Sequence, residues 1–159
     1  MNIDPLVRQV AEELSRQGHK LAVAESCTGG AIAAALTSQA GSSVWFERGF
    51  IVYSNASKIE MLGVSEESAV RHGSVSDPVV REMATGAIEH SHASISVAVT
   101  GVAGPGSGTT EQPVGTVWLA WSLREGDTRS QKRSFDGGRD RIRDKSIEAA
   151  LTGVLSLLE

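Results

Sequence analysis

Apolar side chains recur at helical spacing in four stretches of this chain. Leu6, Val10 and Leu14, flanked by Val7 and Ala11, mark a helix over residues 5–17. Asp4 is its expected N-cap, Pro5 its first helical residue and Gly18 its stop. Ala31, Ile32, Ala35 and Leu36 share one face of a second helix that starts around Thr28. A third opens at Asp77-Pro78 and buries Val79, Val80, Met83, Ala84, Ala87 and Ile88. The last, over residues 140–158, carries Ile147, Ala150, Leu151, Val154, Leu155 and Leu158. Ser54 or Asn55 is placed to cap a shorter helix bearing Lys58, Met61 and Leu62.

Between these lie runs that read as strands, over residues 20–24, 45–53, 95–100, 115–123 and 128–135. The last two are separated by Glu125-Gly126-Asp127, a turn that lets them pair as a hairpin. Helices and strands alternate, with no repeat and no linker. The pattern predicts a single α/β domain over residues 1–159, a layered α/β/α arrangement around a mixed β-sheet.

A length of 159 residues suits one ordinary domain, and 40% hydrophobic with 21% charged residues excludes a disordered chain. No stretch of about 20 apolar residues is present to span a bilayer. Residues 1–17 mix acids into the sequence and lack a signal core, so a cytoplasmic location is expected. The lone cysteine, Cys27, has no internal disulfide partner, which fits a reducing compartment. A net charge of −4 argues against a surface shaped for nucleic acid. His19, His72, His90 and His92 follow no metal-ligand spacing, and neither metal nor cofactor is expected.

The strongest chemical signal is Ser26, where the first strand runs through Glu25-Ser26-Cys27-Thr28-Gly29-Gly30 into a helix. A serine on such a turn can act as a nucleophile, with backbone N–H groups of the helix start stabilising an oxyanion. It can equally be an N-cap, followed by glycines needed for packing. The segment is not a G-x-S-x-G elbow, because Ala24 and Thr28 hold its glycine positions. No histidine is placed beside Ser26: each reads as a helix-end or loop residue, His72 in a polar loop. Lysine replaces histidine as a base when desolvation lowers its pKa. Lys58 follows the apolar 50–53 run across a short turn, and Tyr53 is within reach of either the serine or the lysine. The alternative for Lys58 is a solvated position on a short helix.

A second glycine turn, Thr100-Gly101-Val102-Ala103-Gly104-Pro105-Gly106, ends a strand and suits either a phosphate cradle or a mobile turn. It lacks a P-loop ending. Arg139, Arg141 and Arg143 can meet an anionic ligand, or pair with the interspersed Asp136, Asp140 and Asp144. Cys27 reads either as a nucleophile or as a small packing residue.

Taken together, these motifs resemble the CinA C-terminal domain family, and within it the stand-alone nicotinamide-nucleotide amidases. The resemblance runs through Ala24 to Gly30, then Trp45-Phe46-Glu47-Arg48-Gly49-Phe50, Tyr53-Ser54-Asn55 and Lys58. It continues in Gly73-Ser74-Val75-Ser76, Gly101 to Pro105 and Pro113-Val114-Gly115-Thr116-Val117-Trp118, and covers nearly the whole chain. It implies hydrolysis of nicotinamide mononucleotide to nicotinic acid mononucleotide and ammonia, in pyridine nucleotide recycling. Carried over by position, Ser26 would be the nucleophile, Lys58 its base and Tyr53 a supporting hydrogen-bond partner. The N–H groups after Ser26, at Cys27, Thr28, Gly29 and Gly30, would form the oxyanion hole and contact substrate. Gly101 and Gly104 of the second glycine turn, with Arg139 or Arg143, would hold the phosphate.

Expected partners are a small-molecule nucleotide and further copies of the chain in a homo-oligomer, with no nucleic acid and no membrane. Two departures stand out. Gln112 occupies a position where relatives often carry a lysine, and the chain has no room for the larger N-terminal domain of some relatives. Two other readings remain: a non-catalytic nucleotide-binding or interaction domain of the same fold, and a hydrolase using Cys27.

Overall fold

The computed structural model describes residues 2–159. In chain order its elements are α1 (Asp4–Gln17), β1 (Leu21–Glu25), α2 (Ala31–Thr37), a 3-10 turn (Ser42–Val44) and β2 (Phe46–Ile51). Then follow α3 (Asn55–Leu62), α4 (Glu66–His72), α5 (Asp77–Glu89), β3 (Ile95–Gly101), β4 (Thr116–Leu123), β5 (Thr128–Ser134) and α6 (Arg139–Leu158). The strands form one mixed sheet in the order β2-β1-β3-β4-β5. β1 runs parallel to both β2 and β3, while β4 and β5 are antiparallel additions.

The two faces of the sheet differ in bulk. Leu21, Val23, Ile95, Val97, Val99, Val117, Leu119 and Trp121 pack on one side with α1, α2 and α6. Ala22, Ala24, Ala98 and Ala120 alternate with them and face α3 and α5. The small face lets α5 approach closely, and Ser96 Oγ donates to Ala84 O at 2.7 Å. On the bulky face Trp121 lies against Gly153 and donates through Nε1 to Ala150 O at 2.9 Å. A side chain at Gly153 would collide with the indole ring.

Several boundaries differ from the expectation. Asp4 lies inside α1, whose N-cap is Ile3. α2 starts at Ala31, because Gly29 (φ +58°) and Gly30 (φ +100°) take left-handed conformations that extend the turn after Ser26. α4 was not foreseen: its only buried residue is Ala69, so it carries no apolar stripe to betray it. Its start is set by Ser65, whose side chain accepts from Ser68 N, and His72 closes this helix instead of lying in a loop. β2 ends at Ile51, two residues early, where the chain turns to deliver Val52 and Tyr53 beneath α3.

The topology selects one edge for chemistry. β2 and β3 flank β1 on opposite sides, so connections diverge at its carboxyl end, the usual place for a crevice in an open α/β sheet. There Ser26 N donates to Val99 O at 3.0 Å, tying the turn after β1 to β3.

Candidate active site

Ser26 and Lys58 meet at this edge. Lys58 Nζ lies 3.1 Å from Ser26 Oγ, 2.9 Å from Val52 O and 3.1 Å from Tyr53 O. Ser54 starts α3 by accepting from Ser57 N at 3.0 Å, and Lys58 N bonds back to Ser54 O. The lysine is thus held in the first turn of a capped helix. Its side chain is 1% exposed, so the solvated alternative does not apply. Burial pulls the amine down from 10.5 to about 8, opposed by the nearby Cys27 thiolate when that forms.

The turn around Ser26 is braced from two directions. Arg143 donates from Nε to Cys27 O and from Nη2 to Thr28 O, both at 3.1 Å. Glu25, fully buried at the end of β1, accepts from Gly30 N at 3.2 Å, Ile32 N at 3.0 Å and Ala33 N at 2.9 Å. Gly29 N donates to Ser26 O. Among the described residues, the N–H groups of Cys27 and Thr28 meet no oxygen acceptor. Thr28 Oγ1 is likewise buried without a partner. Of the N–H groups expected at an oxyanion hole, those of Gly29 and Gly30 are engaged within the turn, whereas those of Cys27 and Thr28 are not.

In front of Ser26 lies a cleft of about 390 Å³, lined among others by Tyr53, Ser74, Thr100, Gly104, Gln112 and Arg139. Arg139 donates to Gly104 O at 2.8 Å and to Tyr53 Oη at 3.3 Å, linking the second glycine turn to the segment after β2. Gly104 has φ +77°, and a Cβ there would fall 2.5 Å from Val114 Cγ1. Glycine is therefore required both by backbone conformation and by space. Gln112 Nε2 donates to Val75 O, joining the two loops that wall the cleft.

The CinA C-terminal domain family model matches residues 3–158. The chain belongs to this family. It is 47% identical over 146 residues to nicotinamide-nucleotide amidohydrolase PncC of Escherichia coli K12, covering 92% of this chain and 88% of that one. The PncC of Pseudomonas putida is 48% identical over 158 residues, covering 98% and 96%. A longer CinA-like protein of Akkermansia muciniphila is 49% identical over 150 residues, 94% of this chain but 36% of that one. Among solved structures, the competence/damage-inducible protein CihA of Agrobacterium tumefaciens superposes with a TM-score of 0.96 at 42% identity, covering 99% of this chain and 96% of that one.

Within this CinA domain some expected contacts differ. The Tyr53 side chain is exposed and its hydroxyl meets Arg139, so it supports neither Ser26 nor Lys58 directly. Its backbone carbonyl holds the lysine instead, a role that side-chain chemistry cannot reveal. Arg143 is committed to the turn carbonyls and does not line the cleft, whereas Arg139 does. Arg141 lines a different hollow, between β5 and α6. No ion pair joins these arginines to Asp136, Asp140 or Asp144 among the described residues.

Cys27 is buried, and burial pushes its thiol up to about 11, which withholds the thiolate at neutral pH. The histidines serve elsewhere: His19 Nδ1 pairs with Ser94 Oγ, and His90 Nδ1 with Gly86 O. The residue that sequence reasoning left without a role is Glu25. Its signal was an acid at the buried end of a strand immediately before a glycine turn.

Proposed function

We propose that this protein is a nicotinamide-nucleotide amidohydrolase that uses Ser26 as nucleophile and Lys58 as its base. The reading is carried by the water-shielded amine of Lys58 at hydrogen-bond distance from Ser26 Oγ, at the wall of a cleft. The PncC relatives supply the substrate class by their names. A neutral lysine amine has two N–H donors and one lone pair. With the donors on Val52 O and Tyr53 O, the lone pair faces the Ser26 hydroxyl and can accept its proton.

Ser26 Oγ then attacks the carboxamide carbon of nicotinamide mononucleotide, and its proton passes to Lys58 Nζ. The oxyanion accepts from the N–H groups of Cys27 and Thr28. The Lys58 ammonium returns the proton to the leaving nitrogen, ammonia departs, and an ester to Ser26 remains. Water, deprotonated by the neutral amine, hydrolyses this ester to nicotinic acid mononucleotide and regenerates Ser26. Arg139 and the Gly101–Gly104 turn receive the phosphate at the cleft mouth, and the reaction serves pyridine nucleotide recycling.

The test is to incubate purified protein with nicotinamide mononucleotide, measuring ammonia and nicotinic acid mononucleotide together. Equimolar appearance of both, with an acyl adduct on Ser26 in acid-quenched samples, is the expected result. Binding without turnover would instead support the non-catalytic nucleotide-binding domain.

A further inference from the structure

We propose that Glu25 is a positioning residue: its carboxylate holds the turn so that Ser26 meets Lys58 and the oxyanion donors are confined to Cys27 and Thr28. The inference rests on the reading of Ser26 as the nucleophile. Glu25 is the last residue of β1, in register with Val99 on one side and Ile51 on the other. Its Oε1 accepts from Gly30 N and Ile32 N and its Oε2 from Ala33 N, at 2.9 to 3.2 Å. It forms no ion pair among the described residues, so these donors and the start of α2 balance the buried charge.

Glu25 and Ser26 serve opposite layers. The carboxylate engages α2, whose Ile32 and Leu36 pack in the core on the bulky face of the sheet. Ser26 engages α3, whose Leu62 packs on the alanine face. Glu25 therefore anchors one side of the turn while the serine is presented to the other. Only an ionised carboxylate suits the task, because two acceptor oxygens serve three donors, whereas an amide has one acceptor oxygen and would turn an NH2 group toward a donor. A negative charge here opposes an anionic intermediate nearby, so its contribution is geometric and not electrostatic. It also closes the first N–H groups of α2 to any substrate oxygen.

The experiment compares wild type, Glu25→Gln and Leu36→Ala by kcat, KM and the rate of Ser26 labelling with a fluorophosphonate probe. Labelling stoichiometry counts correctly folded sites, and its rate constant reads the geometry of each. Glu25→Gln is expected to lower both kcat and the labelling rate constant by about tenfold or more, the scale of sub-ångström to ångström misplacement. KM should stay within about threefold and the stoichiometry near that of wild type. Leu36→Ala, a core truncation in the same helix, should lower Tm and leave both rates within about twofold.

Glu25→Gln rates equal to wild type would overturn the proposal, as would a loss explained by reduced stoichiometry alone. If Glu25→Gln does not fold, hydrogen exchange in the wild type decides. Slow exchange at Ile32 and Ala33 supports the carboxylate anchor, and exchange as fast as an open peptide refutes it. A wild type that labels at Ser26 but releases no ammonia sinks the substrate assignment, and the labelling comparison still decides the role of Glu25.

Discussion

Lys58 meets Ser26 with an amine shielded from bulk solvent, its Nζ 3.1 Å from Oγ and the residue 1% exposed. With burial bringing that amine to about 8, only a minority is neutral at pH 7. Since the base must be neutral, kcat should rise with pH and level off above about 8. Lys58→Met, which roughly keeps the stem, should lower kcat by about a hundredfold or more and abolish this limb. A pH profile of kcat for both proteins checks the point, and an unchanged acidic limb in the variant would remove Lys58 as the base.

The same shift has a consequence for stability. Below about 8 the amine is protonated in both folded and unfolded chains, and the burial penalty is present in full. Between about 8 and 10.5 the unfolded chain holds more protons, so this lysine makes stability rise with pH. Urea unfolding of wild type and Lys58→Met at pH 7 and pH 11 should reveal a difference that grows in favour of wild type, by up to about 3 kcal/mol. Both proteins are compared in a Cys27→Ala background, because the thiol and the amine influence each other's charge. A pH-independent difference would contradict the depressed amine.

Ser26→Ala should eliminate ammonia release while leaving Tm within a few degrees, because it deletes only one small hydroxyl at the wall of the cleft. Cys27→Ala should keep most of the turnover. Its thiol, pushed up to about 11 by burial, is protonated at neutral pH, and the N–H of residue 27 survives the substitution. Truncation of this buried side chain should instead lower stability by about 1 kcal/mol. Thermal melting and an ammonia assay on both variants separate the roles, and a folded but inactive Cys27→Ala would reinstate the thiol.

Arg139 and Arg143 lie one helical turn apart on α6 yet should fail differently. Arg139 faces the cleft, between Gly104 O and Tyr53 Oη, so Arg139→Ala should raise KM for the nucleotide with a smaller change in kcat. Arg143 braces the carbonyls of Cys27 and Thr28, so Arg143→Ala should lower kcat more than it raises KM. Tyr53→Phe, which deletes only the contact to Arg139, should keep kcat within about threefold. Steady-state kinetics on the three variants distinguish these outcomes, and a reversed pattern for the arginines would exchange their assignments.

Much of the architecture was legible because burial writes itself into local periodicity. The alternation of Leu21 and Val23 with Ala22 and Ala24 marks a strand with two different faces, and the α5 and α6 stripes are unmistakable. α4 was hidden because one buried alanine makes no stripe, and α2 began late because two glycines lengthened the turn before it. Ser26 and Lys58 were nameable as residue types suited to the chemistry. The contact of Tyr53 with Lys58 is not legible in the sequence, because it is made by the carbonyl, a group every residue carries, while the hydroxyl meets Arg139.

By itself, then, the sequence determined the elements, their buried faces and a short set of reactive side chains, all consequences of spacing within about a dozen residues. Which faces meet is a different matter, decided by strand order and crossovers that bring distant segments to one sheet edge. Lys58 is 32 residues from Ser26, Arg139 is 86 from Tyr53, and Arg143 is 116 from Cys27. Only the packed sheet closes those distances. It also buries the amine that becomes a base, and it assigns two neighbouring arginines to a cleft and to a turn, because desolvation and hydrogen-bond partners exist only once the layers are in contact.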